Sequence, residues 1–409
     1  MVVDVRPLRS SAAYRWLFGG LGLAFIGRQL TVVAVPFQIY EMTGSSLAVG
    51  LLGVVQFGAL MLASPIGGTL ADALDRRRLL LLSQLLMAST AGGLAWNAMT
   101  SEPALWPLFA LSGLNAAIST VDSPTRAAVL PRLVGRTLLP SALALNQTLG
   151  NVARSAGPAL AGILIARFDL ALTYSMEAVI VLAGALMMIP MPSLPPEGGG
   201  RRAGWDSIME GFRFLKERRL LQANFVIDLN AMVFGMPRAL FPAIGTEVLG
   251  GDASTVGLLF AAPGIGALVA ALTSGWVAHV RRQGLAVVIS VMAWGVSIAL
   301  FGFVAVVWLS VVLLAIAGAA DMVSAVFRNT ILQLAVPDAL RGRLSAIHIA
   351  VVAGGPRLGD FESGAVAQAT SLEFSVVSGG LACIVGALAL TRWFPELPNY
   401  TSDQATEAT

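Results

Sequence analysis

Apolar residues run along this chain in long blocks, and polar residues are confined to short interruptions between them. Twelve such blocks follow one another, at approximately 17–40, 46–70, 79–99, 104–123, 140–166, 171–191, 220–246, 254–278, 285–305, 308–328, 343–370 and 372–393. They are rich in Leu, Ala, Val and Gly and lack the two-residue alternation of a half-buried strand, which predicts helices rather than a barrel. A helix needs roughly 20 apolar residues to cross about 30 Å of hydrocarbon, and each block meets that length. The expected fold is an all-α membrane protein with twelve transmembrane helices. The first block is too long for a cleaved signal, and eleven more follow it.

Composition strengthens that expectation. Hydrophobic residues make up 56% of the 409 and charged residues only 12%, about half the roughly 25% usual in soluble domains. With a mean hydropathy of +0.78, the apolar surface exceeds what one aqueous core can bury. The placement of charge then predicts orientation, because Lys and Arg are retained in short cytoplasmic loops. Of 26 Lys and Arg, 21 fall in alternate loops and tails, from Arg6, Arg9 and Arg15 through to Arg392, whereas the opposite loops hold Arg167 alone. Both termini are therefore expected in the cytoplasm. Topology accounts for the net charge of +3, and no nucleic-acid partner is implied. Cys383, the single cysteine, lies inside the last block and can form no intrachain disulfide.

The long polar connection at 192–219 divides the chain. It begins as a Pro/Gly linker, and its latter part, Trp205 to Arg219, has the pattern of an amphipathic helix lying on the inner face. The organisation expected is a six-helix bundle over 1–191, this linker, a second bundle over 220–393, and a polar cytoplasmic tail over 394–409. Internal similarity supports two related halves. SSLAVGLL at 45–52 aligns with DASTVGLL at 252–259, an offset of 207, and an offset of 202 lays Arg126 on Arg328 and Gly157 on Gly359. Repeated halves with a binding site between them are a transporter architecture.

One interruption carries a knot of charge. Five of the seven residues from Asp72 to Arg78 are charged. The run Gly68-x-Leu70-Ala71-Asp72-x-x-Asp75-Arg76-Arg77-Arg78 resembles the loop motif of the major facilitator superfamily, and it lies between the second and third blocks, as in that family. Ala73 replaces the usual basic residue and Asp75 the usual glycine. The pattern LAD-x-x-D-R-R is similar to the branch that holds enterobactin exporters and macrolide efflux proteins. A second run, GNVARSAGPALAG at 150–162, resembles the family's antiporter motif at Gly157, Pro158 and Gly162. The resemblance implies that Gly68, Asp72, Arg76, Arg77, Gly157 and Pro158 belong to the gating machinery. Gly68 would permit close helix approach, and Asp72 would pair with an arginine or a helix N-terminus such as that of the eleventh span. The alternative for Arg76 to Arg78 is that they only anchor topology.

A charge at mid-membrane costs at least ~2.5–3.5 kcal/mol on insertion scales, so each one is a functional candidate. Arg28, Arg154, Arg238 and Arg357 qualify, in couples from corresponding helices. Gln147, Asn151 and Arg154 share one helical face, Arg28, Thr31 and Gln38 a second, and Asn115, Ser119 and Asp122 a third. These polar faces predict a wet cavity, with Arg28, Gln147, Asn151, Arg154, Arg238 and Arg357 binding substrate. The carboxylates Asp122, Asp228, Asp321 and Asp360 are the candidates for proton coupling. Asp228 leads them, because Arg238 is too distant along the helix to pair with it, while Arg357 and Asp360 at i, i+3 can neutralise each other.

Guanidinium groups bind carboxylates bidentately and stack on aromatic rings. The expected function is secondary-active, proton-coupled export of a small amphipathic compound by alternating access, a siderophore of the enterobactin type or a drug. The alternatives are a macrolide or multidrug efflux pump and a facilitated-diffusion uniporter. A monomer in the cytoplasmic (inner) membrane of a bacterium is expected, with a small-molecule substrate, protons and lipids as partners. Neither metal nor cofactor is called for. An intramembrane enzyme would need a nucleophile–base or metal constellation, yet the chain has only His279 and His348, and no HExxH, GxSxG, CxxC or Walker lysine loop occurs.

Overall fold

The computed structural model describes the backbone of residues 4–195, 213–336 and 338–401. Within them it describes the side chains of all but 65, 66, 68, 69, 71, 72, 278, 338–343, 345–347, 349 and 350. A short helix α1 (Arg6–Ser10) leads into α2 (Ala12–Thr43), α3 (Ser46–Ala73), α4 (Arg76–Met99), α5 (Trp106–Arg167) and α6 (Leu170–Met188). After the linker come α7 (Arg219–Phe234), α8 (Ala253–Leu272), α9 (Gln283–Phe301), α10 (Val307–Ala335), α11 (Asp338–Ala369) and α12 (Leu372–Trp393). There is no strand among the described residues.

Local chemistry punctuates this order. Ser11, Asp75, Asp169 and Ser371 cap the N-termini of α2, α4, α6 and α12, each side chain accepting from a backbone N–H three residues on. Gly44, in left-handed conformation at φ 60°, closes α2, and its N–H donates to the Tyr40 carbonyl. Such tight stops return the chain into the bilayer after very few residues.

Nine helices among the described residues are long and apolar enough to cross a membrane, which is consistent with the expected twelve once three particulars are seen. α5 is 62 residues long and holds two of the expected spans, broken at Gly135 with φ 71° and ψ 169°. The connection between those two spans is thus helical on both sides of one glycine. The seventh span is not the continuous 220–246 helix expected. α7 stops at Phe234, and 3₁₀, α and π turns carry the chain from Arg238 to Val248. Pro237 and Pro242 supply no backbone donors, and the Trp294 indole takes the Gly235 carbonyl at 2.6 Å. The eighth is also shorter than expected: α8 ends at Leu272, and Ser274–His279 forms a 3₁₀ turn. α11 fails the apolar criterion because Arg357, Asp360 and Glu362 lie within it.

The chain forms two compact units, one of Met1–Gly44, Val54–Arg202 and Gly251–Ala261, the other of Ser45–Gly53, Ala203–Gly250 and Ala262–Thr409. In the first, α2 and α4 each pack on α5 and α6. In the second, α9 packs on α10 and α12, and α7 on α11 and α12. Leucines such as Leu62 (80% exposed) and Leu272 (79%) point outward, as lipid contacts do. Exposed tryptophans stand near helix ends, Trp96 late in α4, Trp106 at the start of α5 and Trp308 early in α10, the placement that suits a membrane interface.

Candidate functional site

The intramembrane charges gather in three clusters. In the first unit Asp122 is fully buried on α5 and holds three partners: Arg126 at 3.1 Å, Arg28 of α2 at 3.9 Å, and the Gln84 amide of α4 at 2.9 Å. Arg126 also lies over the Phe25 ring, 4.9 Å from its centroid. Arg28 is an electrostatic neighbour of Glu177 as well, and Glu177, 1% exposed, accepts a short hydrogen bond from the Thr31 hydroxyl. Two guanidinium groups therefore stand against two carboxylates.

In the second unit Arg238, just beyond α7, pairs with Asp360 of α11 at 3.2 Å. Arg357, at i, i+3 from Asp360, is its electrostatic neighbour and donates to the Ala353 carbonyl, so Asp360 faces one guanidinium across helices and another along its own helix. The break after α7 is what brings Arg238 within reach, since it turns the chain where a continuous helix would carry that side chain onward. The third cluster pairs Arg328 of α10 directly with Asp228 of α7 and holds Asp321 of α10 at 3.6 Å. Asp228 is 1% exposed, Arg328 3% and Asp321 31%.

The structure sorts the expected polar faces differently from their helical spacing. Gln38 is 2% exposed and accepts from the Tyr174 hydroxyl of α6 at 2.9 Å. Asn115 donates to Thr90 of α4 at 3.1 Å. The faces running through Thr31 and Gln38 and through Asn115 and Asp122 thus join helices within the first unit. Gln147, Asn151 and Arg154 behave otherwise: Gln147 and Arg154 are exposed, and the Arg154 Nη2 donates to Asn151 Oδ1 at 2.7 Å. Arg154 makes no ion pair among the described residues.

Arg126 lies outside the apolar blocks and Arg328 at the end of one, yet both sit in helices and hold buried carboxylates, because α5 and α10 run past those blocks. The 202-residue offset relating them, and the i, i+4 spacing of Asp122 and Arg126, were the available signals.

Of the expected gating residues, Gly68 and Asp72 have side chains outside the described residues. Arg76 and Arg77 are tied down within the first unit. The Arg76 Nη1 donates to the Ala128 carbonyl at 3.3 Å, its backbone N–H donates to Leu194 at 3.1 Å, and Arg77 bonds the Ile189 carbonyl. Asp75, where the family motif has glycine, is the centre of this arrangement. Its Oδ1 caps α4 through the Arg78 N–H at 3.0 Å, and its Oδ2 accepts from the Leu194 N–H at 2.8 Å and the Ser193 hydroxyl. Arg132 holds the Pro195 carbonyl at 2.6 Å. Residues 189–195, the root of the linker, form a strap on the first unit, with Leu194 and Met191 in a core that includes Tyr14, Leu80 and Val129. Burial pushes the Asp75 carboxyl up, but these hydrogen bonds outweigh it and hold the group below the usual aspartate range.

Gly157 and Pro158 lie at close helix contacts. A Cβ on Gly157 would strike the Gln29 side chain of α2. A Cβ on Gly257 of α8 would lie 2.6 Å from the Pro158 carbonyl oxygen, and one on Gly162 would lie 2.5 Å from that of Ala253. The second unit repeats this crossing: a Cβ on Gly50 would sit 2.5 Å from the Asp360 oxygen, and one on Gly364 2.5 Å from the Ser46 oxygen. The offsets of 207 and 202 carry Gly50 to Gly257, Ser46 to Ala253, Pro158 to Asp360 and Gly162 to Gly364, so the two crossings are copies of one contact.

Comparison with known proteins agrees with this architecture. The chain is 31% identical over 390 residues to the enterobactin exporter EntS of Shigella boydii serotype 18, covering 95% of this chain and 94% of that protein. It is 30% identical over 390 residues to EntS of Escherichia coli O139:H28, with the same coverage. Among solved structures, the D-xylose-proton symporter superposes with a TM-score of 0.73 at 16% identity, over 96% of this chain and all of that one. The nucleoside transporter NupG does so with 0.73 at 13% identity, over 94% and 99%. These two likenesses establish the fold. Residues 4–409 match the transmembrane secretion effector family, and the chain belongs to that family of major facilitator transporters, as a multi-pass protein of the inner membrane.

Proposed function

We propose that the chain is a proton-coupled exporter that carries a small amphipathic compound with a carboxylate or catecholate face out of the cytoplasm by alternating access. Its halves, 1–191 and 220–393, rock as bodies joined by 192–219, with both termini in the cytoplasm and a single chain as the working unit. The observation that carries this reading is Arg154. Arg28 is tied to the buried Asp122 and Arg238 to the partly buried Asp360, whereas Arg154 is exposed beside Asn151 and Gln147 with no ion pair among the described residues. A guanidinium held ready beside two amides suits a planar anionic group. The names of the relatives make enterobactin the first compound to try. The driving ion is taken up by intramembrane carboxylates, for which Asp122, Asp228, Asp321 and Asp360 are available.

Inverted membrane vesicles with an acidic interior and an internal pH-sensitive dye test this. Adding enterobactin or a smaller catecholate should release protons, and Arg154→Gln should weaken the compound's binding about 10- to 150-fold, the worth of a charge-assisted hydrogen bond of roughly 1.5–3 kcal/mol. If a labelled compound crosses without any gradient while none releases protons, the protein is a facilitated-diffusion carrier. If macrolides alone release protons, the anionic reading of Arg154 fails.

A further inference from the structure

Charge balance distinguishes one cluster from the other two. Asp122 and Glu177 have Arg28 and Arg126 for company, and Asp360 has Arg238 and Arg357. Among the described residues, Asp228 and Asp321 have Arg328 alone. With both carboxylates ionised, that cluster carries one uncompensated negative charge in a largely buried site.

A second observation marks the same place. Asn224, 2% exposed, leaves its Oδ1 without a hydrogen-bond partner, although its amide nitrogen reaches the Arg328 carbonyl at 3.3 Å. Ser324, fully buried, lies on the face of α10 shared by Asp321 and Arg328, and its hydroxyl has no partner either. Asp228 Oδ2, Asp321 Oδ1 and Arg328 Nε are likewise buried and unsatisfied. Buried polar atoms normally find partners. Four of these five are oxygens, gathered about one guanidinium, and they form a site prepared for a positive charge or a proton that the two acids share. Among the described residues, the remaining titratable group facing the cluster is His348 of α11, whose ring stands 5.9 Å from that of Phe225 on α7 and whose charged neighbour is Arg328.

We propose that Asp228, Asp321 and Arg328 together hold one exchangeable proton. Arg328 moves between the two carboxylates, and the proton occupies whichever one it leaves. In the structure Arg328 is bound to Asp228, so Asp321, more weakly held and partly open at 31% exposure, is the protonated partner. A hydronium ion reaching Asp321 leaves its proton there and departs as water. When Arg328 turns to Asp321, that proton is released and Asp228 takes the next one. The proposal rests on the reading of proton-coupled export only in taking the proton as the driving ion.

The test needs no transported compound. Purified protein in lipid vesicles is titrated while infrared difference spectra follow the carbonyl band of protonated carboxyl groups. The shared guanidinium predicts an unusual pattern. Asp321→Asn and Asp228→Asn should each abolish the titrating band, because one guanidinium then faces one carboxylate. Arg328→Gln should roughly double the band, since two acids then need a proton each, and Arg328→Lys should leave it unchanged, which covers the case in which the glutamine variant does not fold. His348→Gln and exchange of potassium for sodium should leave the band as it was. A band that survives either asparagine substitution, disappears in His348→Gln, or is suppressed by sodium overturns the proposal. The outcome separates from that of the export reading. A proton site confirmed here, with no gradient-driven transport in vesicles, refutes the export reading alone. Transport that is gradient-driven while this band is absent refutes the site alone.

Discussion

Replacing Asp75 by alanine removes the three hydrogen bonds its carboxylate accepts from Arg78, Ser193 and Leu194. The lost helix cap is worth about 1 kcal/mol. The two bonds to the strap, each roughly 1.5 kcal/mol when made to a charged group, are discounted because Asp75 is half-buried and screened by solvent. After that discount the two bonds are worth about 1–2 kcal/mol to the docking of residues 189–195, while the lost cap falls on the first turn of α4. At 1.4 kcal/mol per factor of ten, the undocked fraction should rise about 5- to 30-fold. Amide hydrogen exchange followed by mass spectrometry reads this directly. The Leu194 N–H, which donates to Asp75, and the Arg76 N–H, which donates to Leu194, should exchange faster by that factor, while amides in the middle of α4 stay protected. Asp75→Asn, which retains the cap acceptor, should fall between the two. The acidity of the carboxyl fixes the pH behaviour. A folded-state value below the unfolded one gives stability that is fully present above the unfolded value, near 4, and is lost as pH falls through the lower folded value. Docking should therefore be flat from pH 5 to 8 and weaken only in stronger acid. Exchange of Leu194 that changes less than threefold in Asp75→Ala, or docking that varies between pH 5 and 8, would refute the assignment of the strap to Asp75.

Two further outcomes follow from the buried clusters and the helix crossings. Asp122→Ala strips Arg28 and Arg126 of their shared partner and should cost about 3–5 kcal/mol, the usual effect of breaking a buried pair from one side. Thermal unfolding in detergent should show Asp122→Ala well below Asp122→Asn, which retains a partner for Gln84, and equal melting would dismiss the cluster as a stabilising element. Gly50→Ala and Gly257→Ala force a methyl against carbonyl oxygens at 2.5 and 2.6 Å and should each cost about 1–3 kcal/mol, with similar losses because the contacts are copies. Gly58→Ala and Gly92→Ala, with nothing within 4 Å of the added carbon, should be neutral or slightly stabilising, and a drop equal to that of the crossing glycines would remove the steric argument.

The fold was legible because lipid imposes long apolar blocks that need no partner to be recognised, and the two halves because the repeat kept SSLAVGLL and DASTVGLL in phase. The site was legible only in part. Spacing along a helix shows which polar residues share a face, but it does not show whether that face meets water or another helix. For that reason Gln38 and Asn115 read as cavity residues although they bind α6 and α4. Pairing between helices has no local signal. Asp228 looked unpartnered because its partner, Arg328, lies a hundred residues away in a stretch that resembled an inner loop. Arg238 reached Asp360 only through a chain break that its prolines hint at without specifying its direction.

The duplicated glycine crossings also bear on how such a molecule can move. At both, bare backbone rests on bare backbone, Gly257 against Pro158 and Gly162, Gly50 against Asp360. No interlocked rotamers have to be reset for those surfaces to separate, and no leucine has to be withdrawn from a socket. Contacts of this kind are tight when closed, and any sliding there would ask no side chain to change rotamer, at the same place in each repeat.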